Sequence, residues 1–182
     1  MFQVRIHGRG GQGVVTAAEL LSVAAFLDGA HAQAFPSFGS ERTGAPVVAF
    51  CRIDDREIRV REPIVAPDAL IIQDPTLLHQ VDVFGGLRPG GRVLLNSTRA
   101  PGELGLAEFD VICVPASDLA REHLGRPLPN AALLGAFAAI TGTVTLDSVA
   151  AAIRERFATA PAEANVRAAA AAFALSEEPS HA

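Results

Sequence analysis

The sequence of 182 residues has no lysine, no tryptophan, no tyrosine, one methionine and two cysteines. Two thiols, Cys51 and Cys113, are too few for an iron–sulfur cluster held by this chain alone, which takes about four. They also exclude a disulfide framework. Without lysine there is no Walker-type phosphate loop. All fifteen basic residues are arginine, against twenty acidic ones, for a net charge of −5. That balance offers no basic face for nucleic acid or for a membrane surface. The longest apolar run, 131–140 with Gly135 counted in, is half of the about twenty residues needed to span a bilayer. Met1-Phe2-Gln3-Val4-Arg5-Ile6-His7 lacks the basic start and apolar stretch of a secretion signal, so a reducing cytoplasm is expected. Catalytic constellations are also missing. The histidines (7, 31, 79, 123, 181) show no metal-ligand spacing, and no serine sits in a G-x-S-x-G elbow.

What is present is a well-filled core. The chain is 49% hydrophobic, and its length suits one domain, expected over 1–176 with a flexible tail at 177–182. Phe2 to Ile6 reads as a buried strand, and Val14 to Leu27 has helical spacing with Gly29 as its stop. His31 to Phe35 reads as a second strand. Val47–Ile53 and Glu57–Val60, around Asp54-Asp55-Arg56, read as a hairpin. Ala69 to Gln73, Arg92 to Leu95 and Phe109 to Val114 complete the strands, and Thr76 to Phe84 can be helical. Ser117-Asp118 is a candidate cap for a helix at Leu119–Leu124. Asn130 is a candidate cap for Ala131–Thr141. Helices at Thr145–Phe157 and Pro161–Leu175 follow. Strands alternating with helices early and helices clustering late predict an α/β fold: a Rossmann-like, mostly parallel sheet with one antiparallel hairpin and a helical C-terminal layer.

Gly8-x-Gly10-x-x-Gly13 falls where the first strand hands over to a helix. Glycine tolerates positive φ and close backbone approach, and the helix start offers unpaired N–H groups at its positive end. Together they make a phosphate cradle, to which Arg9, Gly11 and Gln12 add donors. The alternative is a bare strand-to-helix turn. A dinucleotide site would need an acidic residue closing the second strand, but Ala34-Phe35-Pro36 supplies none, which favours a phosphate site over an NAD site. The polar, Gly-rich stretch Pro36 to Gly44 is a long loop of the kind that carries function. Its Ser37, Phe38, Gly39, Ser40, Glu41 and Arg42 are candidate ligand or partner contacts. Ligands of open α/β sheets lie outside the carboxyl ends of the strands. His7–Gly13, Pro36–Gly44 and Asn96 at a later strand end are therefore expected to converge. No residue is assigned a catalytic role and none a metal.

Ile6-His7-Gly8-Arg9-Gly10-Gly11-Gln12-Gly13-Val14-Val15-Thr16-Ala17-Ala18 resembles the opening of gamma subunits of the 2-oxoacid:ferredoxin oxidoreductases, the pyruvate/ketoisovalerate type. Pro36 to Pro46 resembles that family's second signature, and Pro67-Asp68, Asn96-Ser97, Asn130 to Ala136 and Asn165 to Ala168 follow in order. Thr43 departs from the pattern, standing where many relatives carry Arg or Gly. The resemblance implies a subunit, not catalytic alone, of an enzyme that converts a 2-oxoacid into an acyl-CoA and CO2. It also implies alpha and beta partners holding thiamine diphosphate and Mg, a delta partner holding [4Fe–4S] clusters, and ferredoxin or a similar acceptor. For this chain it implies contact with coenzyme A through Gly8, Arg9, Gly10, Gly11, Gln12 and Gly13, with 37–44 as a second wall. A stand-alone NAD- or flavin-binding protein and a pure assembly scaffold are the competing readings.

Overall fold

The computed structural model describes residues 1–37 and 42–177. Six strands form one sheet in the order β2-β3-β1-β4-β5-β6. They are β1 (Phe2–Arg9), β2 (His31–Pro36), β3 (Pro46–Asp54), β4 (Ala69–Ile72), β5 (Arg92–Asn96) and β6 (Asp110–Val114). Pairings β1–β4, β4–β5 and β5–β6 are parallel, and β3 alone is reversed, lying antiparallel to both β1 and β2. The helices are α1 (Val14–Leu27), α2 (Ala116–Leu124), α3 (Asn130–Thr141), α4 (Leu146–Arg156) and α5 (Thr159–Glu177).

The side-chain period of two sorts each strand between two cores. Val4 and Ile6 of β1, Cys51 of β3, Ile71 of β4 and Leu94 of β5 join the buried residues of α1, α3, α4 and α5 in the larger one. Helix α3 is buried over almost its whole length, because α5 lies directly against it: a Cβ on Gly135 would stand 2.0 Å from the Ala169 carbonyl oxygen. The opposite face of β4–β6 carries a smaller cluster built on Leu70, Ile72, Leu77, Val93 and Leu95.

The mostly parallel sheet and the late helical layer match expectation, but the hairpin has a different partner. Glu57–Val60 forms no strand; β3 pairs with β2 instead. Both hydrogen-bonding edges of β3 are occupied, by β1 and β2, so no edge is left for the alternating Glu57-Ile58-Arg59-Val60. The stretch after Asp54 is irregular and is held through main-chain carbonyls by buried arginines on the second sheet face. Arg52 Nη2 donates to Glu62 O at 2.6 Å and Arg5 Nη1 to Ile64 O at 3.5 Å; Arg5 Nη2 also donates to Val83 O and Gly85 O, beyond β4, at 2.9 and 2.7 Å. The expected helix at Thr76–Phe84 is a single 3-10 turn, Pro75–His79, started by Asp74, whose carboxylate accepts from Thr76 N. Helix α2 begins at Ala116, ahead of the expected cap, and α5 runs on through Ser176 and Glu177. No helix among the described residues is long and apolar enough to cross a membrane.

Candidate functional site

The crossover from β1 through α1 runs to β2 on one side of the sheet, while β4 pairs with the other side of β1. Chain direction therefore switches at the carboxyl end of β1, which opens a crevice there. The glycine loop stands at that crevice. Gly8 and Arg9 close β1, Gly11 and Gly13 take positive φ (89° and 72°), and α1 starts at Val14. Among the described residues, the N–H groups of Gly11, Gly13, Val14, Val15 and Thr16 have no acceptor, and the first turn of α1 carries no acid. Five free donors at the positive end of a 14-residue helix suit an anion.

The loop uses most of its glycines for packing. A Cβ on Gly10 would stand 2.1 Å from Arg42 O, one on Gly13 would stand 2.5 Å from Asn130 Nδ2, and one on Gly8 would stand 2.5 Å from Val14 Cγ2. Only at Gly11 is the space open, with Thr43 Cγ2 the nearest atom at 3.9 Å. The side available to a ligand is thus Gly11 and the start of α1, narrower than the whole Gly8–Gly13 stretch. The second loop comes to the first as expected: Gly10 N donates to Ala45 O at 2.9 Å and Gly44 N to Gly10 O at 3.0 Å. Arg42 is exposed beside it. Phe38, Gly39, Ser40 and Glu41 lie outside the described residues. Ser37 sits elsewhere, at a cavity of about 400 Å3 on the second sheet face shared with Arg5 and His7.

The polar side chains form a network around Arg9, Gln12 and Asp74, with separate ties from Asn96 and Asn130 to the backbone. Arg9 donates to Thr76 Oγ1 (2.7 Å), Gln80 Oε1 (2.8 Å) and Gly44 O (3.0 Å), and its Nε lies 3.2 Å from the Asp74 carboxylate. It is a brace between loops, with little of its charge left for a ligand. Gln12 accepts from Arg9 N (2.7 Å) and donates to Asp74 (2.9 Å). Burial works against ionisation of Asp74, but hydrogen bonds from Thr76 and Gln12 and the nearby Arg9 outweigh it and hold the carboxyl below its ordinary range. Asn96, at the end of β5, donates to Gln73 O (2.9 Å) and to Ser117 Oγ (2.8 Å). Ser117 thus serves Asn96 instead of capping α2, and Asn130 donates to Gly13 O (3.3 Å) instead of capping α3.

His7 faces away from this network. Its Nε2 accepts from Arg5 Nε at 2.9 Å, and burial, then the Arg5 charge, lowers it to about 4, so it is a neutral, satisfied strand residue. Cys51 is fully buried and its thiol is pushed up to about 12 by that burial; Cys113 is half-buried. Among the described residues no cluster of His, Cys, Asp or Glu could hold a metal.

Gln73, Asp74 and Asn130 were not among the residues expected at the site. A polar residue ending an apolar strand run, as Gln73 does after Ile71-Ile72, was the available signal. Asp74 and Asn130 depend on packing across the chain and gave none.

A family model described as pyruvate ferredoxin/flavodoxin oxidoreductase matches residues 3–175. The chain belongs to that family. It is 48% identical to the pyruvate/ketoisovalerate oxidoreductases common subunit gamma of Thermococcus kodakarensis, over 95% of this chain and 96% of that one. Against the pyruvate synthase subunit PorC of Methanocaldococcus jannaschii the identity is 47%, with the same coverage. The crystal structure of the pyruvate oxidoreductase subunit PORC of Thermotoga maritima superposes with a TM-score of 0.84 at 34% identity, covering 95% of both chains. Membership in the pyruvate ferredoxin/flavodoxin oxidoreductase family favours a subunit of an oxidoreductase complex over a stand-alone NAD- or flavin-binding protein.

Proposed function

We propose that this chain, as the gamma subunit of a pyruvate/2-oxoacid ferredoxin oxidoreductase complex, supplies the anion-holding wall of the coenzyme A site. The observation that supports the reading is the set of N–H groups at Gly11, Gly13 and Val14–Thr16 that have no acceptor among the described residues, with open space at Gly11, at the switch point of the sheet. These donors would hold a phosphate of CoA. Arg9 and Asp74 fix the loop, Asn96 fixes the end of β4, and the exposed Arg42 stands beside the approach. In such a complex, located in the cytoplasm, alpha and beta partners would hold the thiamine diphosphate and Mg that supply the decarboxylation chemistry, and a delta partner would hold [4Fe–4S] clusters that pass electrons toward ferredoxin. This chain binds and orients the acyl acceptor and shields it from water.

The test exploits the exposed, positive-φ Gly11. Asn and Asp tolerate that conformation about equally, so comparing Gly11→Asp with Gly11→Asn in the assembled complex isolates charge from strain. A carboxylate at the positive helix end should raise the KM for CoA about fivefold over the Asn variant, leaving the KM for the 2-oxoacid unchanged. Equal KM values for CoA in the two variants would sink the reading.

A further inference from the structure

Gln73 is the one buried side chain among the described residues whose polar atoms have no partner at all. The residue is 2% exposed, and neither Nε2 nor Oε1 meets a donor or acceptor. Its backbone is fixed on both sides, N donating to His7 O at 2.8 Å and O accepting from Asn96. The side chain is aimed into the glycine loop. Gln73 Oε1 lies 3.0 Å, and Gln12 Oε1 3.1 Å, from the point above Gly8 where a Cβ would stand. A buried carboxamide without partners is costly, and folded proteins retain very few. Val14, the first residue of α1, meets the same point above Gly8, its Cγ2 2.5 Å away.

We propose that Gln73 is the residue that reads the non-phosphate part of the ligand seated at the α1 N-terminus, pairing its carboxamide with a ligand amide or hydroxyl. The helix N–H groups are donors only and suit a phosphate. An ionised phosphate accepts and does not donate, so it would satisfy Nε2 and leave Oε1 bare. A group offering both a donor and an acceptor satisfies both atoms. The half-buried Gln12 side chain lies over Gly8, and for a ligand to reach Gln73 it must give up its bonds from Arg9 N and to Asp74. The inference rests on the CoA reading above. CoA carries phosphates at one end and two amides along its arm, which matches a donor-only cradle beside a donor–acceptor group.

The experiment uses the assembled complex with Gln73→Met, which keeps the volume and removes both polar atoms. The probes are CoA and its bisphosphorylated adenosine fragment, which lacks the amide arm. The expected result is a rise of about thirtyfold in the KM for CoA, from two ordinary hydrogen bonds lost together. The KM for the 2-oxoacid, the inhibition constant of the fragment and the melting temperature without CoA should not fall away from wild type. An unchanged KM for CoA overturns the proposal, as does equal weakening of CoA and fragment, which would mean that Gln73 acts only through the shape of the loop. The Gly11→Asp and Gly11→Asn pair separates the two readings. If charge at Gly11 changes the KM for CoA and Gln73→Met does not, only the role of Gln73 falls; if neither changes it, the CoA site itself is misplaced.

Discussion

Replacing Gly10 by alanine tests the close approach of the two loops. The Gly10 φ is negative, so the substitution brings no left-handed strain and probes space alone. The new methyl would stand 2.1 Å from Arg42 O and 2.8 Å from Arg42 C, both main-chain atoms that cannot swing aside as a side chain would. Contacts of this kind essentially never fall below 3.0 Å, so the 42–45 segment must retreat by at least 3.0 − 2.1 = 0.9 Å. That retreat stretches the bonds Gly10 N to Ala45 O (2.9 Å) and Gly44 N to Gly10 O (3.0 Å) beyond hydrogen-bonding distance. Two backbone bonds at about 1 kcal/mol each are offset by about 0.5 kcal/mol from the stiffer unfolded chain, leaving a loss of about 1.5 kcal/mol. For a chain of this size that lowers the melting temperature by about 3–6 °C. The control is Gly102→Ala, where a Cβ meets nothing within 4 Å and φ is again not positive. Thermal unfolding of the purified subunit should separate the two variants by those few degrees. Identical melting curves would refute the reasoning, because they would mean that the 42–45 segment does not lean on Gly10 in solution.

At Gly135 alanine should also destabilise: helix propensity favours it by about 1 kcal/mol, but the Ala169 carbonyl 2.0 Å from the new methyl forces α3 and α5 apart, for a net loss of about 1–2 kcal/mol in urea unfolding. His7 predicts an acid-side slope. Its folded value of about 4 lies below the usual 6.5, so its contribution is complete above about pH 6.5 and is lost as pH falls toward 4. The loss comes to about 3 kcal/mol, and His7→Gln, which can still accept from Arg5, should flatten that part of a melting-temperature profile. Cys51, buried and with its thiol raised to about 12, should resist iodoacetamide at pH 8 in the native chain and react fully in denaturant, as mass spectrometry would show; native labelling would place it outside the core.

The features legible in the sequence were local. Phe2 to Ile6 followed by glycines and Leu20, Leu21 and Ala24 at helical spacing announce β1, the loop and α1, because strand burial, turn chemistry and helical period agree over a short span. The meeting of Gly10 with Ala45, and the place of Asn96 at the same sheet edge, followed from the rule that strand ends collect ligands. The features that were missed depend on strand order. Glu57–Val60 has the alternation of a strand, but whether β3 has a free edge is decided by β1 and β2 across the chain. Asp74 acts at the site because β4 lies beside β1, and Asn130 because α3 packs under Gly13; neither placement has a local signature. Thr76–Phe84 reads as helix until one sees that the Val83 and Gly85 carbonyls go to Arg5.

The grip of Arg5 and Arg52 on the second sheet face has a bearing on how this sequence can diverge. Both guanidinium groups hold main-chain oxygens, of Val83 and Gly85 and of Glu62, and every residue type supplies such an oxygen. The bonds themselves therefore ask nothing of side-chain identity at Glu62, which is exposed, whereas Val83 is a core residue and Gly85 has no room for a side chain. A lysine at either place would be a single flexible point of charge, unable at position 5 to span Val83, Gly85 and His7, or at position 52 to span Gln3, Gln33 and Glu62, from one planar fork. Among relatives of this chain, position 62 should vary freely, and arginine-to-lysine exchange should be rare at positions 5 and 52.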